Sequence, residues 1–136
     1  MGVTALMIRT LGGVAAGVAI AIALMMLVEG LANMVFPPPR VNLNDPNAAA
    51  SLPLANQLFP VLAWFVATLV GGWIAVQLSG RGWTAWLVAA SVLVGEILDY
   101  LLGRHTAWVM GAGILAPIAA AWIAQKLRGR TPRVSA

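Results

Sequence analysis

Four side chains of this sequence are carboxylic acids, and three of them, Glu29, Glu96 and Asp99, fall inside long apolar stretches. A carboxylate at the centre of a bilayer costs about 2.5 kcal/mol or more on insertion scales, so each needs a cation, a proton or water to compensate it. Glu96, Asp99 and Tyr100 stand at i, i+3 and i+4, the spacing of one helical face, and Glu29 and Asn33 at i and i+4 share a face in the same way. Arg104 and His105 follow close behind. Three kinds of chemistry fit such a set. One is an ion-pair and hydrogen-bond network in which Arg104, with Arg40, neutralises the carboxylates near the membrane boundary. The second is a proton or cation site, because two carboxyl groups one turn apart in a low dielectric can share a proton or hold an ion. The third is acid-base catalysis by Glu96 or Asp99 with His105.

Several chemistries are excluded by what the chain lacks. There is no cysteine, hence no thiolate nucleophile, disulfide or thiolate metal site. His105 is the only histidine, which rules out a bis-histidine haem and a multi-histidine zinc centre. No H-E-x-x-H or E-x-x-H occurs, and no glycine-rich segment opens a helix in the way that cradles phosphate. No cofactor is expected, and whether the carboxylates bind a metal stays open.

The elements that must position these residues follow from composition. Of 136 residues 61% are hydrophobic and only 9% charged, with a mean hydropathy of +0.90. Ordinary soluble chains carry about 25% charged residues, so a soluble domain is excluded, as is disorder. Continuous apolar runs point to helices, since membrane strands alternate over about ten residues. The reading is an all-α integral membrane protein, residues 1–136 forming one bundle of four transmembrane helices over about 10–36, 58–78, 83–102 and 107–127. The first run exceeds the roughly 7 to 15 residues of a signal-peptide core and reads as a retained span. Pro37, Pro38 and Pro39 stop it, and the Asx-rich segment after them makes an outer loop over about 37–57. Ser79 to Gly82 and Gly103 to His105 make tight turns.

Arg9, Arg81, Lys126, Arg128, Arg130 and Arg133 then fall on one side and only Arg40 and Arg104 on the other. This bias predicts a multi-pass protein of the bacterial inner membrane with both termini cytoplasmic. The net charge of +4 therefore sets topology rather than marking a nucleic-acid partner. The six tryptophans read partly as an interfacial belt, with core packing the alternative for Trp73 and Trp86. Gly13 and Gly17 form a G-x-x-x-G about 10 Å above the inner end of span one, level with Gly71 and Gly72 on span two, so these spans can approach closely there. Gly95, Gly111 and Gly113 are expected to match in the outer half, and Pro117 to kink span four.

Val28-Glu29, Phe36 to Pro39, Asp45-Pro46, Pro53, Gly71-Gly72 and His105 with Trp108 resemble the pattern of a group of small four-span bacterial inner-membrane proteins with no established activity. The resemblance covers most of the chain and implies fold and topology, not function. Where that group carries a second histidine after the glutamate, this chain has Asn33.

Two functions are weighed. The first is a non-enzymatic accessory or assembly component of a larger membrane complex, because the chain has almost no soluble surface and the bundle is too small to enclose a wide path; the expected partners are the lipid bilayer and another membrane protein or a second copy of this chain. The alternative is a proton- or cation-coupled small-solute carrier using Glu29, Glu96 and Asp99, with Asn33, Tyr100, Arg104 and His105 around them.

Overall fold

A computed structural model describes residues 2–42 and 44–130. Arg133 and the carboxyl terminus, which entered the topology argument, lie outside the described residues. The chain forms four helices, α1 (Val3–Val35), α2 (Leu54–Ser79), α3 (Thr84–Leu101) and α4 (Ala107–Lys126), followed by a 3-10 turn at Leu127–Arg130. All four are long and apolar enough to cross a membrane, and no strand occurs among the described residues. The protein is an all-α bundle of four membrane-spanning helices.

Helix ends fall close to the expected boundaries except at the amino terminus, where α1 begins at Val3 rather than near Thr10. Nothing between Val3 and Arg9 breaks a helix. Arg9 extends its guanidinium to the Leu78 carbonyl, with Nε and Nη2 donating at 3.4 and 3.3 Å, so its charge ends at the helix boundary while its stem lies along the apolar surface. With 33 residues, α1 is about 50 Å long against a hydrocarbon core of about 30 Å, and must tilt or extend beyond it. Its other end is set by the three prolines, since a residue preceding proline is disfavoured in helical conformation. The Phe36 amide closes the last turn on the Ala32 carbonyl at 2.7 Å.

The proline loop is built from local turns: the Asn44 and Asn47 amides donate to Asn42 Oδ1 and Asp45 Oδ1 at 3.0 and 2.8 Å, as an Asx-rich segment should. At the opposite end of the bundle Gly80 terminates α2 with φ +70°, its amide bonding the Val76 carbonyl at 2.9 Å. Thr84 Oγ1 then donates to the Arg81 carbonyl at 2.7 Å, which ties down the start of α3.

Helix α2 is central and touches the other three, whereas α1 packs on α2 and α3 without contacting α4. The α1·α2 contact is a row of small residues. A Cβ on Gly17 would stand 2.5 Å from the Gly71 carbonyl oxygen, and one on Gly13 3.0 Å from that of Ala75; only glycine permits backbones this close. Gly72 does not belong to this row. It faces Ala85 of α3 and Ala124 of α4, because adjacent helical positions point about 100° apart. Two apolar clusters fill the interior, one of Ala21, Trp64, Ala67, Ala75, Val88, Val92 and Val109, the other of Val76, Ala85, Ala89, Ala121 and Ala124.

Two sequence expectations change here. Gly95 and Gly111 meet no neighbour, and only Gly113 of that trio makes a close approach. Trp64 is not a belt residue but 2% exposed in the core, while Trp73 and Trp86 are on the surface. Pro117 lies within α4 and Pro60 within α2, both helices continuing past them.

Candidate functional site

At the proline-loop end the helices part around a cavity of about 180 Å³ lined by Glu29, Ala32, Asn33, Asn56, Phe59, Pro60, Asp99, Arg104 and His105. The wall residues are held by specific contacts. The rings of Phe36 and Phe59 lie 5.3 Å apart, and Asn56 Nδ2 donates to the Phe36 carbonyl at 2.8 Å. Together they clamp the end of α1 to the start of α2, which brings the Glu29 and Asn33 turn over the cavity. Pro60 has no amide to give the Asn56 carbonyl, so the helical bond between these two cavity residues is absent. Gln57 lies outside the cavity and fixes α4, its Oε1 accepting from Trp108 Nε1 at 2.9 Å and Thr106 Oγ1 at 3.4 Å.

The α3–α4 turn supplies the remaining polar groups. Gly103, at φ +72°, reverses the chain so that the Arg104 amide reaches the Asp99 carbonyl at 3.0 Å and Arg104 Nη1 reaches Asp99 Oδ1 at 2.8 Å. Both side chains are substantially exposed, and such pairs contribute about 1 kcal/mol at most. His105 stands edge-on to the Trp64 ring, centroids 5.1 Å apart at 87°. Burial holds its imidazole below the ordinary histidine range; Arg104 acts in the same direction and Asp99 against it. His105 is therefore the neutral base at physiological pH, a donor through one ring nitrogen and an acceptor through the other. With both carboxyls ionised, two carboxylates against one guanidinium leave the lining with a net charge of −1. Among the described residues the side chains of Glu29 and Asn33 make no hydrogen bond.

Of the residues singled out in the sequence, Glu29, Asn33, Asp99, Arg104 and His105 come together in this cavity. Glu96 and Tyr100 do not line it. Tyr100 lies on the surface, 39% exposed, and Glu96 is sunk in the core at 1%, against Gly113 of α4 and close to the Trp64 ring of α2. Arg40, expected to join from the loop, is exposed and does not line the cavity. No group of three or more histidine, aspartate and glutamate side chains is close enough to hold a metal ion among the described residues.

Sequence reasoning missed Phe59, Pro60, Trp64 and the pairing of Glu96 with Gly113. A signal for the last existed: Gly113 and Pro117 at i and i+4 place a small residue and a missing amide on one face of an apolar helix, at the depth of a buried acid.

Cavities for drug-sized ligands run to about 300–1,000 Å³. At about 180 Å³ this one has room for roughly six waters at liquid density, or a small polar solute or ion. Compared with protein-family models, with curated proteins and with solved structures, the chain matches none.

Proposed function

We propose that the protein is a non-enzymatic, cation-coupled carrier of the bacterial inner membrane, with both termini cytoplasmic and the cavity opening on the outer face. The observation that carries this reading is the cavity itself. Residues from α1, α2, α3 and the α3–α4 turn converge on a space of water and ion size, with a carboxylate, Glu29, that no guanidinium pairs. Asp99 is already bound to Arg104, so the unbalanced charge rests with Glu29, and a monovalent cation of small radius is the occupant that neutralises it. Neutral His105 and the Asn33 and Asn56 amides supply oxygen and nitrogen ligands of the kind a partly hydrated cation accepts. A deep acid, a polar cavity and little soluble surface are the ordinary marks of an ion pathway.

The test is a titration of purified protein in lipid nanodiscs with sodium, potassium and ammonium chloride, at ionic strength balanced by choline chloride, following thermal unfolding. A binding cation raises stability by about 2.7 kcal/mol at a hundred times its Kd. The expected result is a saturable rise for at least one cation, lost in Glu29→Gln and weakened in Asp99→Asn, where Arg104 is left to neutralise Glu29. Equal curves for all salts, with no saturation, refute cation binding at the cavity.

A second reading, the accessory component, is supported by α1. It has only Thr10, Gly13, Gly17, Ala21 and Ala32 buried and leaves Met7, Leu11, Met26, Leu31 and Met34 more than half exposed, a surface open to lipid, to another membrane subunit or to a second copy. Native mass spectrometry of protein extracted gently from its own membrane distinguishes them. A stoichiometric foreign subunit favours the accessory reading, and a lone chain or homo-oligomer removes its support.

A further inference from the structure

Glu96 is the largest fully buried side chain in the bundle, and neither carboxyl oxygen has a hydrogen-bond partner. Its carboxyl occupies space that only a glycine leaves open: a Cβ at Gly113 would overlap Glu96 Oε1 and Cδ and the edge of the Trp64 ring. Four residues on, Pro117 is also buried and has no amide, so the Gly113 carbonyl lacks its helical donor. The carboxyl therefore lies against a residue in the interior of α4 whose carbonyl lacks its regular helical donor. An ionised carboxylate there meets neither a cation nor a donor, and burying such a charge is strongly unfavourable. A carboxylic acid removes that charge, and its cost in a dry site is far smaller.

The route to water is short. Trp64, close to the carboxyl, carries His105 edge-on, and His105 lines the cavity. Along α3, Asp99 of the cavity is three residues from Glu96, about 4.5 Å of rise. The titratable and charged groups on that side are His105 and Asp99, with Glu29 of α1 and Arg104 beyond them in the cavity; among the described residues α1, α2 and α4 bring no charged side chain within ion-pair distance of Glu96. One turn from Trp64, Thr68 Oγ1 is also fully buried without a partner, so the core holds a second polar group able to meet a passing water.

We propose that Glu96 is a proton-binding site, held as the carboxylic acid and exchanging its proton with the outer cavity past Trp64 and His105. On release the O–H bond breaks, the proton passes to a cavity water as hydronium, and the carboxylate stays; uptake is the reverse. Coupling this proton to a cation at Glu29 rests on the carrier reading, but the acid itself does not, so the two fail separately.

The experiment is infrared spectroscopy of the full chain in lipid nanodiscs, reading the carboxylic-acid C=O stretch, which stands apart from the amide bands. The expected result is an acid band in the wild type that shifts within minutes of transfer to heavy water and is absent from Glu96→Gln with the amide bands unchanged. Should Glu96→Gln not fold, Glu96→Asp moves the band instead of deleting it. A parallel labelling of the wild type with dicyclohexylcarbodiimide reads the same group: the acid proton goes to a carbodiimide nitrogen, the carboxyl oxygen adds to the central carbon, and the acyl group migrates to nitrogen. Fragmentation of the peptide that holds Glu96 and Asp99 places the mass of the whole reagent on Glu96. No acid band, an adduct on Asp99 with none on Glu96, or a band that ignores heavy water for hours overturns the proposal.

Discussion

Gly17→Ala adds one methyl group at the tightest point between α1 and α2, and its cost can be worked from the geometry. The new Cβ would stand 2.5 Å from the Gly71 carbonyl oxygen, 2.9 Å from Ala75 Cβ and 3.0 Å from Val88 Cγ2. Ordinary carbon contacts begin near 3.5 Å, so the shortfall at the carbonyl is about 1 Å. A backbone oxygen within a helix cannot rotate aside as a side chain would. Relief must come from α1 moving off α2 by a large part of that distance, and a gap of 0.5–1 Å forfeits a quarter to a half of each dispersion contact it opens. Overpacking of this kind costs about 1–3 kcal/mol, and with three neighbours crowded at once the expected loss is about 2–3 kcal/mol. Two substitutions on the same helix calibrate it. A Cβ on Gly12 meets nothing, so Gly12→Ala should be neutral or stabilising by up to about 1 kcal/mol through helix propensity. A Cβ on Gly13 meets its neighbours at 3.0 Å, so Gly13→Ala should fall between. Unfolding free energies by steric trapping in bicelles give the order directly. If Gly17→Ala is as stable as Gly12→Ala, the helices do not approach as described and the reasoning is wrong.

Further outcomes follow from the site. Because burial lowers the His105 pKa in the folded protein, the unfolded chain takes up that proton first on acidification; stability is full above about pH 6.5 and declines as pH falls towards and through the folded value. His105→Gln should flatten that part of the stability curve between pH 8 and 5, and an unchanged slope would count against a buried neutral imidazole. Asp99→Asn removes an exposed ion pair and should cost under about 1 kcal/mol in the same unfolding assay; a loss of several would mean that the pair anchors the turn. Gln57→Leu removes the acceptor of the half-exposed Trp108 Nε1 and loosens the α4 start, with an expected cost of about 0.5–1.5 kcal/mol, read as faster hydrogen exchange at Thr106 to Met110. A reporter fused after Ala136 should be active only in the cytoplasm, and a periplasmic signal would reverse the assigned orientation.

The helices were legible because the bilayer leaves little choice. Four apolar runs separated by Pro37 to Pro39, Gly80 and Gly103 have one way to satisfy their backbones, and their ends fall where amides are missing or φ is positive. The amino-terminal boundary was missed because hydropathy sees Arg9 as an end, whereas an arginine with a carbonyl in reach sits on a helix that continues past it. The Gly17 to Gly71 approach was legible from depth alone, since antiparallel helices of fixed rise bring known levels together. Depth does not give direction, however. Gly72 shares the level of Gly71 and points to α3 and α4 instead, and Gly95 shares that of Gly113 yet faces no helix.

The same distinction separates Glu96 from the cavity. Its spacing to Asp99 puts the two on one face of α3, and on an isolated helix they would share whatever that face meets. In the bundle the face runs from an open end into a closed interior. Asp99 stands in the last turn of α3, beside the α3–α4 turn, so Arg104, His105 and water reach the carboxylate. About 4.5 Å deeper, α2 and α4 have closed, Trp64 caps the opening, and Gly113 leaves room for one carboxyl and little else. Two acids one turn apart thus meet different surroundings, one paired and wet, the other dry and unpartnered. Proton-coupled transport needs that inequality, because a site that gives up its proton only when water or a cation arrives must otherwise be kept from both. A substitution that lets water reach Glu96, such as Trp64→Ala, should therefore abolish the separation: its acid band should weaken at neutral pH while the Asp99 and Arg104 pair persists. A band of unchanged strength in Trp64→Ala would mean that the indole is not what keeps this carboxyl dry.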